Sequence, residues 1–226
     1  MTAIILQARI DSSRLPGKAL LPLDGKPLVF RVMEALNHVP ADLRILACTE
    51  DSFASFEPFA KEAGFSIFAG PKEDVLERYC RVIRKYTIKR VIRATGDNPF
   101  VFADAASSIH YEASALNAAY AGYLELPCGA GVESVAASAL LRAEDEAVLP
   151  AEREHVCPYL YGHPEIFKIH RPSAPAKWNH PEIRLTVDTQ EDFDHAVELY
   201  SALKNEPNRF NGETIIKIYS EIQRGN

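Results

Sequence analysis

The amino-acid sequence predicts one α/β domain in which a mixed, mostly parallel sheet carries helices on both faces. Two observations predict this fold: short apolar runs alternate with helical patterns over the first hundred residues, and a length of 226 residues suits a single domain. Strand–helix–strand units cross over in the right-handed sense, so the alternation favours a doubly wound sheet. Ligands of such sheets bind beyond the carboxyl ends of the strands, and functional residues are therefore expected in the loops that follow the strands.

Four buried strands are predicted from short aliphatic or β-branched runs that polar residues, glycine or proline bound on each side. These runs are residues 3–6, 43–48, 65–68 and 89–94. Helical periodicity and helix-start signals predict helices over residues 27–36, 53–63, 74–86, 154–161, 191–203 and 213–222. Residues 122–135 are loop or strand material, and residues 171–181 form a proline-bearing excursion.

The overall charge argues against nucleic acid as a partner. The formal net charge is −6 and the pI is near 5.7, whereas nucleic-acid binding depends on clustered Lys and Arg. The four cysteines lack CxxC spacing and are predicted to be free thiols. The apolar run at the start is too short for a signal peptide or a membrane span, which predicts a cytoplasmic protein with no membrane partner.

The segment QARIDSSRLPGK, residues 7–18, follows the first predicted strand and is locally basic in an acidic chain. Arg9, Arg14, Lys18 and Lys26 all fall within the first 26 residues, where only two aspartates oppose them. Arginine forks, a lysine and the backbone N–H groups of a small-residue loop can hold a triphosphate and stabilise charge on a departing pyrophosphate. The alternative is that these residues are solvated charges on a surface turn. The segment matches neither GxxxxGK[ST] nor GxGxxG, so the motifs of P-loop kinases and dinucleotide-binding proteins are absent from it.

Two aspartates in separate segments are candidate ligands for Mg²⁺. Asp97 lies in RATGDNPF at the end of the fourth predicted strand, and Asp188 follows the β-like run RLTV. Mg²⁺ keeps several waters and bridges phosphate oxygens, so two carboxylates can hold it without a full protein cage. The alternatives are that Asp97 caps a turn, and that Thr189 and Asp192 belong to a helix capping box.

Two further polar segments contain candidates for substrate contacts. Asp74 can cap a helix, and Arg78 one turn later could reach a ribose, a base or a phosphate. A surface ion pair between Asp74 and Arg78 explains both residues equally well. His155, in EREHVCPYLY, could orient an acceptor or simply satisfy local hydrogen bonds.

With these segments assembled, the sequence resembles the cytidylyltransferase family that includes spore coat polysaccharide biosynthesis proteins and, more remotely, the enzymes that make CMP-Kdo and CMP-sialic acid. The resemblance spans nearly the whole chain and rests on QARIDSSRLPGKALLPLDGKPL, EDVLERY, RATGDNPF, EREHVCPYLY and RLTVDTQEDF, in that order. It implies a Rossmann-like fold of the nucleotide-diphospho-sugar transferase type. It also implies transfer of CMP from CTP to a sugar or sugar-acid acceptor, with release of pyrophosphate, in polysaccharide or surface-glycan biosynthesis.

The resemblance also implies roles for individual residues. Mg²⁺ would be held by Asp97 and Asp188, and the catalytic residues would be Arg9, Lys18 and Asp97. The nucleotide would contact residues of the basic segment, of the helix near Asp74 and of the turn before Asp97: Gln7, Ala8, Arg9, Ser13, Arg14, Lys18, Asp74, Arg78, Thr95 and Gly96. The acceptor would contact Glu133, His155 and Tyr159.

Two departures from the family pattern lie in the expected acceptor region. Residues 129–133 read GAGVE where the family often has a GLDVE-like run, and Leu185 stands where a Trp is common. We expect a nucleotide-binding half over residues 1–115, an acceptor-binding and homodimer region over residues 116–190, and closing helices over residues 191–226.

Two alternative functions stay open at this point. One is a glycosyltransferase that uses a nucleotide-sugar on the same scaffold, although the DxD-like pair usual in such enzymes is not evident. The other is a nucleotide-binding protein without catalysis.

Overall fold

The computed structural model describes residues 1–225 and has the predicted α/β fold. The strands are β1 (Thr2–Ala8), β2 (Pro22–Leu23), β3 (Lys26–Pro27), β4 (Leu43–Thr49), β5 (Ser66–Gly70), β6 (Arg90–Thr95), β7 (Tyr120–Ala121), β8 (Glu133–Ala136) and β9 (Ile169–His170). The α-helices are α1 (Leu28–Leu36), α2 (Phe53–Glu62), α3 (Val75–Tyr86), α4 (Ala103–Ala115), α5 (Ala137–Glu146), α6 (Pro150–His155), α7 (Pro158–Gly162), α8 (Gln190–Leu203) and α9 (Gly212–Gly225).

Seven of the strands form one sheet in the order β5-β4-β1-β6-β8-β7-β9, and β2 pairs with β3 in a separate hairpin. Strand β1 is parallel to both of its neighbours, β4 and β6, whereas β8 is antiparallel to β6 and β7. The chain moves outward from β1 through β4 to β5 and then returns to β6 on the other side of β1. The strand order therefore reverses at the β1–β6 pair, and such a switch point leaves a crevice at the carboxyl ends of the strands.

Both faces of the central strands are buried under helices. In β1, Ile4 and Leu6 pack with α1, α2 and α4, whereas Ala3 and Ile5 pack with α3 and α5 on the opposite face. All four side chains are fully buried, which explains why this run is apolar at every position and not at alternate ones. Burial of an aliphatic side chain such as Ile4 contributes about 1.5–3 kcal/mol to folding.

Side-chain caps start the two helices that flank functional segments. The backbone N–H of Glu77 donates to Asp74 Oδ1 at 2.8 Å and starts α3. Thr189 Oγ1 accepts from the Asp192 N–H at 3.2 Å, and Asp192 Oδ2 accepts from the Thr189 N–H at 2.9 Å. The capping-box interpretation of Thr189 and Asp192 is therefore confirmed, and it fixes the backbone directly after Asp188.

The second half of the chain differs from the predicted elements. The helix predicted over residues 154–161 is wrong, because α6 and α7 occupy this segment with a break between them. Val156 takes a φ of 71° at the end of α6, and Pro158 starts α7, where a missing N–H breaks no helical hydrogen bond. Helices α4 and α5 were not expected from the sequence; the buried side of α4 is mostly alanine, so its apolar periodicity is weak.

The structure also describes the cysteines and the character of the helices. Within residues 1–225 all four cysteines are free; Cys48, Cys80 and Cys157 are buried and Cys128 is exposed. Burial raises the pKa of the Cys48 thiol to about 11, so this thiol stays protonated at neutral pH. In the same described part of the chain, no helix combines the length and the apolar character that crossing a membrane requires.

Candidate active site

A cleft of about 320 Å³ opens where β1 and β6 end, at the point where the strand order reverses. Its walls come from the loop after β1, the turn after β6, the segment before α8, and the start of α3 and end of α6. Most of the predicted site residues line it: Gln7, Ala8, Arg9, Ser13, Arg14, Lys18, Arg78, Thr95, Gly96, Asp97, His155 and Asp188. The fold thus brings Lys18 and Asp188, which are 170 positions apart in sequence, into one wall.

Lys18 lies at the centre of the contacts in this cleft. Its Nζ donates to Asp97 Oδ2 at 3.0 Å, to Asp188 Oδ1 at 2.8 Å and to the Val187 carbonyl at 2.7 Å. The Lys18 side chain is only 13% exposed, so these charge-assisted bonds are partly shielded from water. Both carboxylates predicted to hold a metal therefore converge on one point, which an ammonium group occupies.

A close approach of β1 and β6 positions Asp97. The Gly96 N–H donates to the Gln7 carbonyl at 2.8 Å, and a Cβ added to Gly96 would lie 2.8 Å from Ala8 Cβ. A larger residue at this position would push the strand ends apart, so glycine is required here. The next residue, Asp97, accepts from the Thr95 hydroxyl at 2.7 Å through Oδ1, which leaves Oδ2 for Lys18.

Asp188 is surrounded by cations on both carboxylate oxygens. Arg14 Nη2 lies 2.8 Å from Oδ1, and Arg184 Nη2 donates to Oδ2 at 2.9 Å. Burial acts to raise the pKa of Asp188, but Lys18, Arg14 and Arg184 outweigh it and hold the pKa below its ordinary value. Asp188 is therefore ionised at neutral pH, and both of its oxygens already contact cationic side chains.

The cleft is positively charged in a chain whose net charge is −6. Six cationic side chains line it against three carboxylates, and this surplus favours a ligand with several negative charges. Arg9 and Arg14 form an exposed rim, with 54% and 64% of their side chains accessible. Lys72, paired with Asp11, stands beside them. The basic segment therefore supplies much of the positive charge of this cleft.

The structure corrects the expectations for Asp74 and Arg78. Asp74 lies outside the cleft wall; it caps α3 and pairs with Arg153 at 2.5 Å, so the proposed Asp74–Arg78 surface pair is wrong. Arg78 is 2% exposed, and its Nε and Nη2 donate to the Pro71 carbonyl at 3.0 and 2.8 Å. Arg78 therefore holds the loop that carries Lys72 while one side of it faces the cleft.

Of the two residues predicted in the EREHVCPYLY segment, only His155 reaches the cleft. It lies at the end of α6. Tyr159 does not reach it: its hydroxyl donates to Glu146 at 2.7 Å, and its ring lies 4.2 Å from that of His163. The break at Val156 directs α7 into the core, so Tyr159 lies outside the cleft wall, and its contact with the acceptor stays a prediction.

A second cavity of about 420 Å³ lies on the other side of the β6 end, and Arg93 and Thr95 contribute to both spaces. Glu133, predicted to contact the acceptor, lines this second cavity instead of the cleft. Its carboxylate accepts from Arg93 Nη1 at 2.5 Å and from the Tyr120 hydroxyl at 2.8 Å. Gly129 turns the adjoining loop with a φ of 93°, and a Cβ there would lie 2.7 Å from the Thr186 nitrogen.

Four polar residues of the cleft were not among the predicted contacts: Ser12, Lys72, Arg93 and Glu154. The sequence positions of two of these residues could have marked them as candidates for the site. Arg93 is a charged residue inside a predicted buried strand, and Lys72 lies two residues after the end of β5. In contrast, Lys26, which was grouped with the basic segment, pairs with Glu62 and lies outside the cleft wall.

Comparisons with known proteins agree with this geometry. The profile of the cytidylyltransferase family matches residues 3–222. Spore coat polysaccharide biosynthesis protein SpsF of Bacillus subtilis (strain 168) is 32% identical over 213 residues, which cover 90% of this chain and 88% of SpsF. The 3-deoxy-manno-octulosonate cytidylyltransferase of Aeromonas salmonicida (strain A449) is 31% identical over 105 residues, which cover 43% of this chain and 40% of that enzyme.

A solved structure supports the fold. The structure of a cytidylyltransferase from Leptospira borgpetersenii serovar Hardjo-bovis (strain JB197) matches with a TM-score of 0.89 at 26% identity, covering 99% of this chain and 95% of that one. The resemblance identified from the sequence is therefore confirmed, together with the nucleotide-diphospho-sugar transferase type of fold.

Proposed function

Because the chain belongs to the cytidylyltransferase family, we propose that it transfers CMP from CTP to a hydroxyl of a sugar or sugar acid and releases pyrophosphate, in polysaccharide or surface-glycan biosynthesis. The observation that carries this proposal is the convergence of Lys18, Asp97 and Asp188 in a cleft with surplus positive charge. That arrangement combines a site for a triphosphate with carboxylates for a divalent cation.

The chemistry of Asp97 and Asp188 fits a divalent cation, which we propose to be Mg²⁺. One oxygen of each carboxylate lies within 3.0 Å of the same nitrogen, so both already converge on a cation. Residues 1–225 hold no group of three or more His, Cys, Asp or Glu side chains arranged for a metal, and a two-carboxylate site suits an ion that keeps waters and binds phosphate. Held by Asp97 and Asp188, Mg²⁺ would neutralise part of the negative charge of the phosphates.

The cationic side chains of the cleft have distinct tasks in this proposal. Arg9 and Arg14 are exposed on the rim and bind the outer phosphates with planar guanidinium groups. Lys18 is held deeper, where its point charge stabilises negative charge that develops on the leaving pyrophosphate. Backbone and hydroxyl groups of the cleft wall also contact the nucleotide; they belong to Gln7, Ala8, Ser13, Thr95 and Gly96.

The reaction itself requires positioning and charge stabilisation more than acid–base chemistry. An acceptor oxygen attacks the α-phosphorus while the bond from that phosphorus to the bridging oxygen of the β-phosphate breaks. Pyrophosphate leaves with the bridging oxygen, and the hydroxyl proton passes to water. Donors that are aligned before the reaction lower the barrier because they need no reorganisation as charge moves.

The proposed acceptor site is the cavity on the Glu133 side of β6, with His155 at the cleft edge on the nucleotide side. Arg93 and Thr95 belong to both spaces, so an acceptor in the cavity reaches the reacting phosphorus across the end of one strand. In this proposal residues 1–115 supply most of the nucleotide site, and residues 116–190 supply Glu133 to the acceptor site.

The test is pyrophosphate release by the purified protein with Mg²⁺ and CTP, UTP, GTP or ATP, each against panels of sugars, polyols and sugar acids. CTP-dependent release supports the proposal, whereas transfer of a sugar from a nucleotide-sugar without pyrophosphate would favour the glycosyltransferase alternative.

An Asp97→Asn variant adds a residue-level check. It is expected to lower kcat by about 10²–10³-fold, as loss of one preorganised charged group does. Asp194→Asn, on the exposed side of α8, is the matched control. If cells carrying Asp97→Asn kept full function, a protein without catalysis would be the better description.

We also propose a cytoplasmic location and a homodimer formed through residues 116–190. Within that range Val148 and Leu149 are large apolar side chains with 84% and 57% exposure, and they precede the α6 segment of the cleft. Sedimentation of the wild type against a Val148→Ser variant tests the dimer.

A further inference from the structure

We propose that Arg184 and Asp192 are positioning residues for Asp188. They hold one carboxylate oxygen and the backbone of this aspartate, so that its other oxygen faces the point where Lys18 lies and where a divalent cation would be held. This inference rests on the proposed CMP transfer and adds two residues to the machinery of that reaction. It comes from the contacts that join positions 184, 188 and 192.

These three residues form a closed ring of charge-assisted hydrogen bonds. Arg184 Nη2 donates to Asp188 Oδ2 at 2.9 Å, and Arg184 Nε donates to Asp192 Oδ1 at 2.9 Å. Asp192 Oδ2 closes the ring, because it accepts from the Asp188 backbone N–H at 2.9 Å. A guanidinium is planar and its N–H groups point in fixed directions, so the contact of Arg184 with Asp192 also fixes the direction in which it meets Asp188.

The backbone on each side of Asp188 is held as well. The residue before it, Val187, donates its N–H to the Asp97 carbonyl at 2.9 Å. The residue after it, Thr189, donates its N–H to Asp192 Oδ2 at 2.9 Å. Asp192 therefore binds two successive N–H groups, and the Asp188 side chain starts from a fixed backbone.

Asp97 and Asp188 divide their two oxygens in the same way. In Asp97, the Thr95 hydroxyl donates to Oδ1 at 2.7 Å and Lys18 Nζ donates to Oδ2 at 3.0 Å. In Asp188, Arg184 holds Oδ2 and Lys18 Nζ donates to Oδ1 at 2.8 Å. Each carboxylate thus has one oxygen anchored by a neighbouring side chain and one directed at the same nitrogen. Hydrogen-bond partners of metal ligands commonly orient the ligands in this manner.

Arg184 and Asp192 lie outside the wall of the cleft. Both line a separate cavity of about 360 Å³, to which α8 and Tyr219 of α9 also contribute. Asp188, in contrast, lines the cleft. An effect of Arg184 or Asp192 on a ligand of the cleft therefore passes through Asp188, which makes them positioning residues and not catalytic ones.

The charge of Arg184 by itself would oppose a cation at Asp188, so orientation is the contribution that we assign to it. The Arg184 side chain is 46% exposed, and water and salt screen the repulsion between an exposed charge and a bound ion. Loss of a partner that orients a metal ligand lowers metal affinity or activity by about 10–100-fold. Replacing Arg184 is therefore expected to weaken the cation site even where the substitution removes a like charge.

The experiment compares the Kd of Mn²⁺, a paramagnetic substitute for Mg²⁺, in nucleotide-free wild type, Arg184→Lys and Arg184→Gln by electron paramagnetic resonance. Neither lysine nor glutamine presents the planar fork of arginine, so the Kd is expected to rise about tenfold in both variants. CTP affinity without metal, measured by calorimetry, is expected to stay close to that of wild type, because Arg184 lies outside the cleft wall. A lower Kd in Arg184→Gln than in wild type, or an equal Kd in all three proteins, would overturn the role of Arg184.

Pyrophosphate release by the wild type separates this inference from the proposed function. Release from CTP, together with equal Mn²⁺ affinity in wild type and variants, would overturn the inference and uphold CMP transfer. A wild type that binds neither CTP nor Mn²⁺ would contradict both. Arg142→Lys and Arg142→Gln are the matched controls, because Arg142 is 48% exposed and pairs with Glu146 at 2.8 Å outside the cleft.

Asp192→Glu separates the positioning role from helix capping. Glutamate at this position still completes a capping box with Thr189, so α8 keeps its start, but the longer side chain displaces the carboxylate from its place between Arg184 and the Asp188 N–H. The Kd of Mn²⁺ is expected to rise about tenfold while the midpoint of urea unfolding stays near that of wild type. A role in capping alone predicts an unchanged Kd, and that result would overturn the role of Asp192. If the Arg184 variants fail to fold, Asp192→Glu still decides the inference.

Discussion

Replacing Lys18 by methionine removes one ammonium group from between two carboxylates and keeps a side chain of similar length. Asp188 retains Arg14 and Arg184 after this change, whereas Asp97 retains only the Thr95 hydroxyl. We expect the metal-free protein to become less stable and the variant to gain more stability from Mg²⁺ than the wild type does. In the wild type the metal must displace Lys18 from the carboxylates that both require.

The magnitude follows from the degree of burial. Exposed ion pairs contribute about 0–1 kcal/mol, and breaking a fully buried pair costs about 3–5 kcal/mol. Lys18 is 13% exposed and Asp97 is 30% exposed, so a cost of roughly 2 kcal/mol is expected. For a chain of this length, that cost lowers Tm by about 4–8 °C. At ten times its Kd, Mg²⁺ would restore about 1.4 kcal/mol in the variant.

Thermal unfolding with and without Mg²⁺, in the absence of nucleotide, measures these effects. Lys26→Met is the control, because Lys26 also pairs with a carboxylate, Glu62, but lies outside the cleft. Equal stabilisation of wild type and Lys18→Met by Mg²⁺ would refute the idea that lysine and metal compete for Asp97 and Asp188. A Tm of Lys18→Met equal to that of wild type would refute the energetic role of the contacts themselves.

Three other changes test separate parts of the structure. Arg9→Ala is expected to weaken CTP binding about tenfold by calorimetry, since one cation of the triphosphate wall is lost; unchanged affinity would contradict its assignment. Gly96→Ala is expected to lower the free energy of unfolding by about 1–3 kcal/mol in urea, because the new Cβ would lie 2.8 Å from Ala8 Cβ; an unchanged midpoint would argue against the close approach of the strand ends. Burial acts to raise the pKa of Asp192, but Arg184 and nearby N–H donors outweigh it and hold the folded pKa below the unfolded value near 3.8. Asp192→Asn should therefore cost about 1–3 kcal/mol at pH 7, with a deficit that is constant down to about pH 4 and shrinks below it; a deficit that grows on acidification would refute this assignment.

The nucleotide side of the site was predictable because its residues are contiguous and follow strand ends. Gln7 to Lys18 come directly after β1, and Thr95 to Asp97 come directly after β6, so the doubly wound topology alone places both segments at one edge of the sheet. The acceptor side was less predictable. Tyr159 and Glu133 depend on a helix break at Val156 and on the antiparallel pairing of β8, and local periodicity reports neither feature.

By itself, the sequence determined the α/β class, four of the six strands of the first half and the residues that can carry charge at a phosphate site. These properties are local, because the alternation of apolar runs and helical patterns and the chemistry of a loop can be read over a few residues. Only the tertiary structure decided that Lys18 joins Asp97 to Asp188, that Asp74 pairs with Arg153 instead of Arg78, and that Glu133 occupies Arg93. Each of those contacts joins residues 40 or more positions apart, and their partners are selected by strand order and packing, which act over the whole chain.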